Sequence, residues 1–114
     1  MKNKDITKAI KALLRKWDRN GCSPMAINNG NCKNFALELC GILGLNRDKH
    51  VFWGDEIPEA FKDRSLAKML IAHAFFCYAS RYYDSECVKG VDYPDDLPFY
   101  QRVIECRENS LKRA

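Results

Sequence analysis

The sequence predicts an α+β domain in which a buried helix from the N-terminal half packs on an antiparallel sheet, with a further helix at the C-terminus. Two helical patterns come first, and strand-like segments follow only after residue 50. Helices and strands that are separated along the chain in this way are typical of the α+β class. The 114 residues are enough for one domain with its own core, spanning 1–114. With 46% hydrophobic and 30% charged residues, the composition excludes a disordered chain.

The first predicted element is an amphipathic helix over residues 6–19. Its apolar residues recur at the helical spacing i, i+4, i+7, i+8 and i+11, namely Ile6, Ile10, Leu13, Leu14 and Trp17. Asp5 is the expected N-cap, and Asn20 with Gly21 is the expected stop. The next segment, residues 22–30, contains Ser-Pro and Asn-Asn-Gly, and this composition predicts a loop.

The second predicted helix covers residues 31–43 and ends at Gly44. Its polar side chains are few, being Lys33, Asn34 and Glu38 after the cap, and most of the others are apolar. A helix that is apolar around most of its circumference is expected inside the domain. Cys32 then lies in the first turn of a buried helix.

The later segments predict the sheet and the last helix. Residues 50–53 are expected to form a short strand, 55–68 a loop, 69–79 a strand, and 81–84 its hairpin partner. Glycine and prolines at positions 90, 94 and 98 predict a long irregular segment before a helix over 99–109. The side chains expected to face inward from that helix are Phe99, Val103 and Cys106, or Ile104 in place of Cys106.

The hairpin register brings a histidine and an aspartate together. If Ala79 and Ser80 form a two-residue turn, Tyr78 faces Arg81 across the two strands. His73 and Asp84 then lie on one sheet face as diagonal neighbours, with Cα atoms about 7–8 Å apart. A three-residue turn would break this parity, so the expected contact depends on the turn.

Cys32, His73 and Asp84 together suggest thiol chemistry. A helix N-terminus favours an anion and lowers the pKa of a thiol, while an imidazole and a carboxylate supply proton transfer and orientation. Asn28 and Asn31 precede the cysteine and offer amide donors for an oxyanion. The alternatives remain a core thiol, a core histidine and a turn-forming aspartate.

A zinc site is a weaker hypothesis from the same residue types. Cys32, His73, Asp84 and Cys87 have suitable ligand atoms, but they lack the paired spacing of structural zinc sites. The sequence therefore predicts no metal and no cofactor.

The six cysteines and the absence of an apolar leader predict a reduced, cytoplasmic protein. No C-x-x-C pair occurs, and the start of the chain has no secretory apolar region. Five of the cysteines are expected to be buried or incidental thiols, with Cys32 as the exception. The most apolar stretch, residues 69–79, is about half as long as a membrane span, so no membrane association is expected.

Positive charge is concentrated in the first 20 residues. Seven basic and two acidic side chains give that segment +5, and the whole chain carries +4, so the rest sums to −1. A solvated helix face is the favoured interpretation, because no nucleic-acid motif accompanies the charge. One alternative is a contact surface for a host protein, formed by Lys4, Lys8, Lys11 and Arg15. Nucleic-acid binding through the same helix is the less favoured alternative.

Three segments resemble a known superfamily. The run NCKNFALEL at 31–39 resembles the nucleophile helix of papain-like and transglutaminase-like cysteine enzymes, and AHAF at 72–75 with RYYDS at 81–85 resembles their histidine and acidic strands. The resemblance covers about residues 28–86 and is closest to small bacterial or phage members. It implies Cys32 as nucleophile, His73 as general base and acid, and Asp84 as the group that orients the imidazole.

The resemblance also implies a function. A Cys-His-Asp triad of this type would make the protein a thiol-dependent hydrolase or acyl transferase acting on amide or peptide bonds of a protein or peptide substrate. The chain lacks the glutamine that precedes the cysteine in papain-like enzymes. The alternative is therefore a non-catalytic interaction or inhibitor protein, of phage or mobile-element type, that keeps the scaffold and binds a host protein.

Overall fold

The computed structural model describes residues 1–53 and 73–113, and within them it shows an α+β fold of helices with a four-stranded antiparallel sheet. The helices before the sheet are α1 (Asn3–Arg19), α2 (Pro24–Ala26), α3 (Cys32–Ile42) and α4 (Arg47–His50). The strands are β1 (Val51–Phe52), β2 (Phe75–Tyr78), β3 (Arg81–Asp84) and β4 (Cys87–Val91), in that spatial order. Helix α5 (Pro98–Arg113) ends the described chain.

The sheet contributes residues to two separate apolar clusters. The larger cluster joins α1 and α3 to one face and includes Ile6, Ile10, Leu13, Phe35, Leu39, Phe76 and Tyr83. The smaller cluster lies on the other face and comprises Phe75, Tyr82, Leu97 and Tyr100. Because neighbouring residues of a strand point to opposite faces, Phe75 and Phe76 belong to different clusters.

Helix α1 begins earlier than its apolar pattern indicates. Its N-cap is Lys2, and the prediction of Asp5 as the cap is wrong. Asp5 instead occupies the third helical position, where its carboxylate accepts the backbone N–H of Lys2 at 2.7 Å. A carboxylate can satisfy an unpaired N–H from inside the first turn as well as from the cap. The expected stop is confirmed, since the helix ends at Arg19 with Asn20 as its C-cap.

Most of the segment between α1 and α3 is helical, whereas a loop was predicted over residues 22–30, and the backbone is non-helical at Asn29 and Gly30. Ser23 caps α2 by accepting the N–H of Ala26 at 3.2 Å. A wide turn, Ile27–Asn31, then continues into α3 and is kinked at Asn29 and Gly30. The proline that suggested a loop is the first residue of α2, a position where a proline is well tolerated.

Helix α3 is amphipathic, so the expectation of a helix buried on most sides is wrong. The side chains that face the core are Phe35, Ala36, Leu39 and Cys40. On the opposite side Lys33, Asn34 and Gly41 are exposed, and Ile42 is 57% exposed. The composition overstated burial because single apolar residues on a solvated face are common.

The β2–β3 hairpin has the predicted register. Tyr78 pairs with Arg81, which confirms the two-residue turn. Ala79 and Ser80 both have positive φ, 50° and 62°, as a turn that follows the twist of a hairpin requires. Strand β2 begins at Phe75, so His73 precedes the strand, whereas residues 69–79 were expected to be strand throughout. Residues 69–72 of that prediction and the loop predicted over 55–68 lie outside the described residues.

Strand β4 lies within the segment that was predicted to be irregular. It pairs with β3 through Tyr82 opposite Val91 and Asp84 opposite Cys87, with a register shift between them. Gly90 allows this strand to pass over Tyr83, because a Cβ on Gly90 would lie 2.9 Å from the Tyr83 ring. Its φ of +78° also favours glycine. Such irregular backbone conceals a strand from pattern analysis.

Substitution of Gly90 tests this packing. We expect Gly90→Ala to lower the free energy of unfolding by about 2–4 kcal/mol, from backbone strain and the clash with Tyr83. Gly41→Ala is the matched control, since a Cβ there meets nothing within 4 Å in an exposed part of α3. That control is expected to gain about 0.5–1 kcal/mol. Urea denaturation of both variants measures the difference, and equal stabilities would contradict the packing described.

Helix α5 buries a residue that the sequence pattern did not select. Tyr100 is fully buried, while Cys106 is exposed and Val103 and Ile104 are partly exposed. The prediction that Cys106 faces inward is therefore wrong, and Val103 is only partly buried. Phe99 and Tyr100, at the start of α5, pack against the apolar cluster that contains Phe75 and Tyr82. The sequence of the rest of the helix is more polar.

All six cysteines are free thiols, and Cys40 alone is fully buried. Of the other thiols expected to be buried or incidental, Cys22, Cys77 and Cys87 are half-buried and Cys106 is exposed. In the described part of the chain, no helix has the length and apolar character needed to cross a bilayer.

Candidate active site

The Cys32 thiol lies at the first residue of α3, as predicted. Backbone N–H groups at a helix start have no partner within the helix and can bind an anion. The N–H of Ala74 donates to Sγ at 3.5 Å, and the N–H of Lys33 also interacts with the sulfur. Cys32 is half-buried, and its sulfur interacts with these two backbone groups.

His73 and Asp84 meet in the interior, which confirms the contact expected from the hairpin register. The Nε2 of His73 lies 2.9 Å from Oδ2 of Asp84, and both residues are almost fully buried. The second carboxylate oxygen, Oδ1, accepts the backbone N–H of Glu86 at 2.9 Å. With both oxygens bound, the carboxylate has a fixed orientation toward the imidazole.

Helix α5 holds the imidazole ring in place. Phe99 stacks on the His73 ring with centroids 4.3 Å apart, and Tyr100 contacts the ring by its edge at 5.5 Å. The Tyr100 hydroxyl also donates to the His73 carbonyl oxygen at 3.2 Å. The sequence pattern predicted that Phe99 faces inward, but it assigned neither Phe99 nor Tyr100 to the site.

The other ring nitrogen of His73, Nδ1, is not bound to Asp84. Because Asp84 accepts a hydrogen bond at Nε2, the neutral imidazole carries its proton there and Nδ1 is the basic nitrogen. Nδ1 is buried and makes no hydrogen bond of normal geometry within the described residues. The Cys32 and His73 side chains nevertheless interact. Such contacts are often long in enzymes without substrate.

These contacts change the acidity of the thiol. Burial raises the pKa of Cys32, but the hydrogen bonds to His73 and to the Ala74 backbone and the charge of the imidazolium outweigh it, so the pKa is lowered. The pKa shifts of three other cysteines have the opposite direction. Burial raises the pKa of Cys40, Cys77 and Cys87. Cys32 thus has a reactive environment that these three thiols lack.

The pKa of the His73 imidazole shifts in the opposite direction, upward. Burial by itself lowers the pKa of His73, yet the hydrogen bonds and charges of Asp84 and Cys32 raise it above its usual value. A lowered thiol pKa and a raised imidazole pKa favour the thiolate–imidazolium pair over the two neutral groups. This pair can attack an electrophilic carbon and supply a proton to a leaving group.

The two candidate oxyanion residues lie in different surroundings. Asn28 is buried, its Nδ2 donates to Oε1 of Glu86 at 2.8 Å, and its Oδ1 accepts the Ser85 hydroxyl at 2.9 Å. Asn31 is the half-buried N-cap residue of α3, and its side chain makes no capping hydrogen bond. It lines a cavity of about 430 Å³ together with Trp17 and Glu38. The oxyanion role of both residues stays a prediction.

An ion pair close to the His73–Asp84 contact was not predicted from the sequence. Arg102 of α5 binds the Glu86 carboxylate with both terminal nitrogens, at 2.7 Å each. The hairpin register contained part of the signal, since it places Glu86 on the sheet face of His73. No periodicity in the sequence indicates that α5 returns to this site.

The structure does not support the zinc hypothesis in the part that it describes. No group of three or more His, Cys, Asp or Glu side chains there is arranged to hold a metal ion. The histidine, which was one of the four suggested ligands, instead hydrogen-bonds the aspartate directly.

In comparisons with known proteins, no family model, no curated protein and no solved structure matched this chain. The papain-like or transglutaminase-like type therefore stays a prediction from the resemblance.

Proposed function

We propose that this protein is a thiol-dependent hydrolase or acyl transferase of papain-like or transglutaminase-like type, acting on amide or peptide bonds. The observation that supports it best is the buried His73 ring, which binds Asp84 through one nitrogen and has the other left for the Cys32 thiol. A core histidine with a structural role needs no thiol of lowered pKa beside it.

The proposed reaction follows from these positions. The Cys32 thiolate attacks the carbonyl carbon of the amide, and an S–C bond forms. The imidazolium of His73 gives its Nδ1 proton to the departing amine, and the C–N bond breaks to leave a thioester. Water or an amine then loses a proton to Nδ1 as it attacks the thioester, which releases the acyl group and restores the thiolate. Asp84 holds the Nε2 proton throughout.

Acylation by a small activated ester tests the proposal without knowledge of the substrate. We expect p-nitrophenyl acetate to transfer its acetyl group to Cys32, with an initial burst of one p-nitrophenolate per chain before turnover. Absorbance measures the burst, and peptide mass spectrometry detects the acetylated cysteine. Iodoacetamide near neutral pH should alkylate Cys32 at least about tenfold faster than Cys77 and Cys87, because thiolate is the reactive form.

Two variants control this experiment. Cys32→Ser should lose the acetylated peptide and the fast alkylation, while Cys77→Ser should keep both. Slow labelling at a similar rate for all half-buried cysteines would contradict the proposed function.

The second candidate function is binding of a host protein through α1. Lys4, Lys8, Lys11 and Arg15 are exposed along one side of α1, around a groove of about 250 Å³. Within the described residues, none of these four makes a salt bridge. Like charges at i, i+3 and i+4 repel, and an acidic partner segment would relieve that repulsion. A chain that binds such a partner but is not acylated would favour this function.

A further inference from the structure

We propose that Glu86 is a positioning residue that, held by Arg102 and Asn28, keeps Asp84 and His73 aligned with Cys32 and favours the imidazolium through its negative charge. The inference rests on the proposed function for its catalytic meaning. Its geometry can be tested separately, because His73 can be observed directly.

Glu86 contacts the triad through its backbone and other elements through its side chain. Its N–H donates to Oδ1 of Asp84 at 2.9 Å. Its Oε1 accepts Nδ2 of Asn28 at 2.8 Å and one nitrogen of Arg102, and its Oε2 accepts the other. A bidentate Arg–carboxylate pair has a defined geometry, so a fixed side chain also fixes the N–H on Asp84.

The network joins the three segments that carry the site. Asn28 belongs to the wide turn that leads into Cys32, and its Oδ1 and the Pro24 carbonyl oxygen both lie within reach of the Ser85 hydroxyl. Arg102 lies three residues after Phe99 on α5, so it faces the same side of that helix as the ring that stacks on His73. Glu86 thus links the segment of the thiol, the segment of the carboxylate and the helix that holds the imidazole.

Within residues 1–53 and 73–113, charged groups face the imidazole from each element packed against it. They are Cys32 from α3, Asp84 from β3 and Glu86 just after it, and Arg102 from α5. The hydrogen bond from Arg102, opposed by burial and helped by Asn28 and the charge of His73, lowers the pKa of Glu86. Glu86 is therefore ionised when His73 titrates, and each charge favours the other.

A histidine titration by NMR separates charge from simple structural support. The chain has two histidines, and His50 serves as the internal reference. In Glu86→Gln the His73 midpoint should move to lower pH, because a negative charge is lost and Arg102 is left unpaired. In Arg102→Met the midpoint should move to higher pH, because the carboxylate is no longer neutralised.

The reactivity of the thiol gives a second readout. Alkylation of Cys32 by iodoacetamide at about pH 6 should be three- to tenfold slower in Glu86→Gln, because a less basic imidazole supports less thiolate. Glu105→Gln, the same change at an exposed position of α5, is the control and should leave both readouts unchanged.

Unchanged His73 midpoints, or shifts of the same sign in Glu86→Gln and Arg102→Met, would overturn the inference. If Glu86→Gln does not fold, Arg102→Met decides alone, since only a shift to higher pH agrees with a carboxylate acting on the ring. Failure of the ester to acylate Cys32, with the opposite shifts present, would instead refute the proposed function and leave the role of Glu86 in place.

Discussion

His73→Gln is expected to slow acylation of Cys32 by p-nitrophenyl acetate about 100- to 10,000-fold, the usual effect of losing a general acid–base. Without the imidazole, burial still raises the pKa of the thiol, and its main opposing hydrogen bond and charge are gone. The pH at which iodoacetamide reacts rapidly with Cys32 should therefore move upward. Stopped-flow release of p-nitrophenolate and a series of alkylation rates against pH measure both effects.

The second histidine supplies a matched control for this variant. The Nδ1 of His50 lies 2.9 Å from the carbonyl oxygen of Cys77, and its ring stacks on Tyr78. The acylation rate of His50→Gln should therefore lie within about twofold of that of the unaltered protein, because this substitution is away from the reacting atoms. An alkylation profile for His73→Gln that coincides with that of the unaltered protein would show that the imidazole does not activate the thiol.

Local patterns predicted the hairpin and the start of α3 because the physics that sets them is short-ranged. A two-residue turn fixes the register of β2 and β3, and this register places His73, just before β2, on the side of Asp84. The position of Cys32 at a helix start likewise follows from the segment around it. These two parts of the candidate site could therefore be predicted from the sequence.

The remaining parts depend on packing between distant segments. Strand β4 was missed because Gly90 and a register shift interrupt its alternation, and both reflect the passage over the Tyr83 ring. The contact of Arg102 with Glu86 joins residues sixteen positions apart through the direction of α5. No local pattern encodes that direction, so the positioning network was visible only in the structure.

Asp84→Asn is expected to lower the acylation rate about 100- to 10,000-fold while leaving the fold intact. The asparagine oxygen can still accept the Glu86 N–H, so its amide nitrogen faces Nε2 of His73. An amide donor there favours the tautomer with the proton on Nδ1, which can no longer accept the proton of the thiol. The ¹⁵N shifts of the His73 ring should report this exchange of tautomers. Asp92→Asn, at an exposed carboxylate, is the control.

The same substitution should change how stability depends on pH. Asp84 helps to raise the pKa of His73 above its unfolded value, against the effect of burial. The stabilisation from this pair is therefore complete below the unfolded histidine pKa of about 6.5 and is lost as the pH rises through the higher folded pKa. In Asp84→Asn that loss should become smaller. The free energy of unfolding, measured by urea denaturation at a series of pH values, should therefore fall less steeply across this window than in Asp92→Asn. Equal slopes in the two variants would mean that Asp84 does not stabilise the imidazolium, and the orienting role proposed for it would fail with that result.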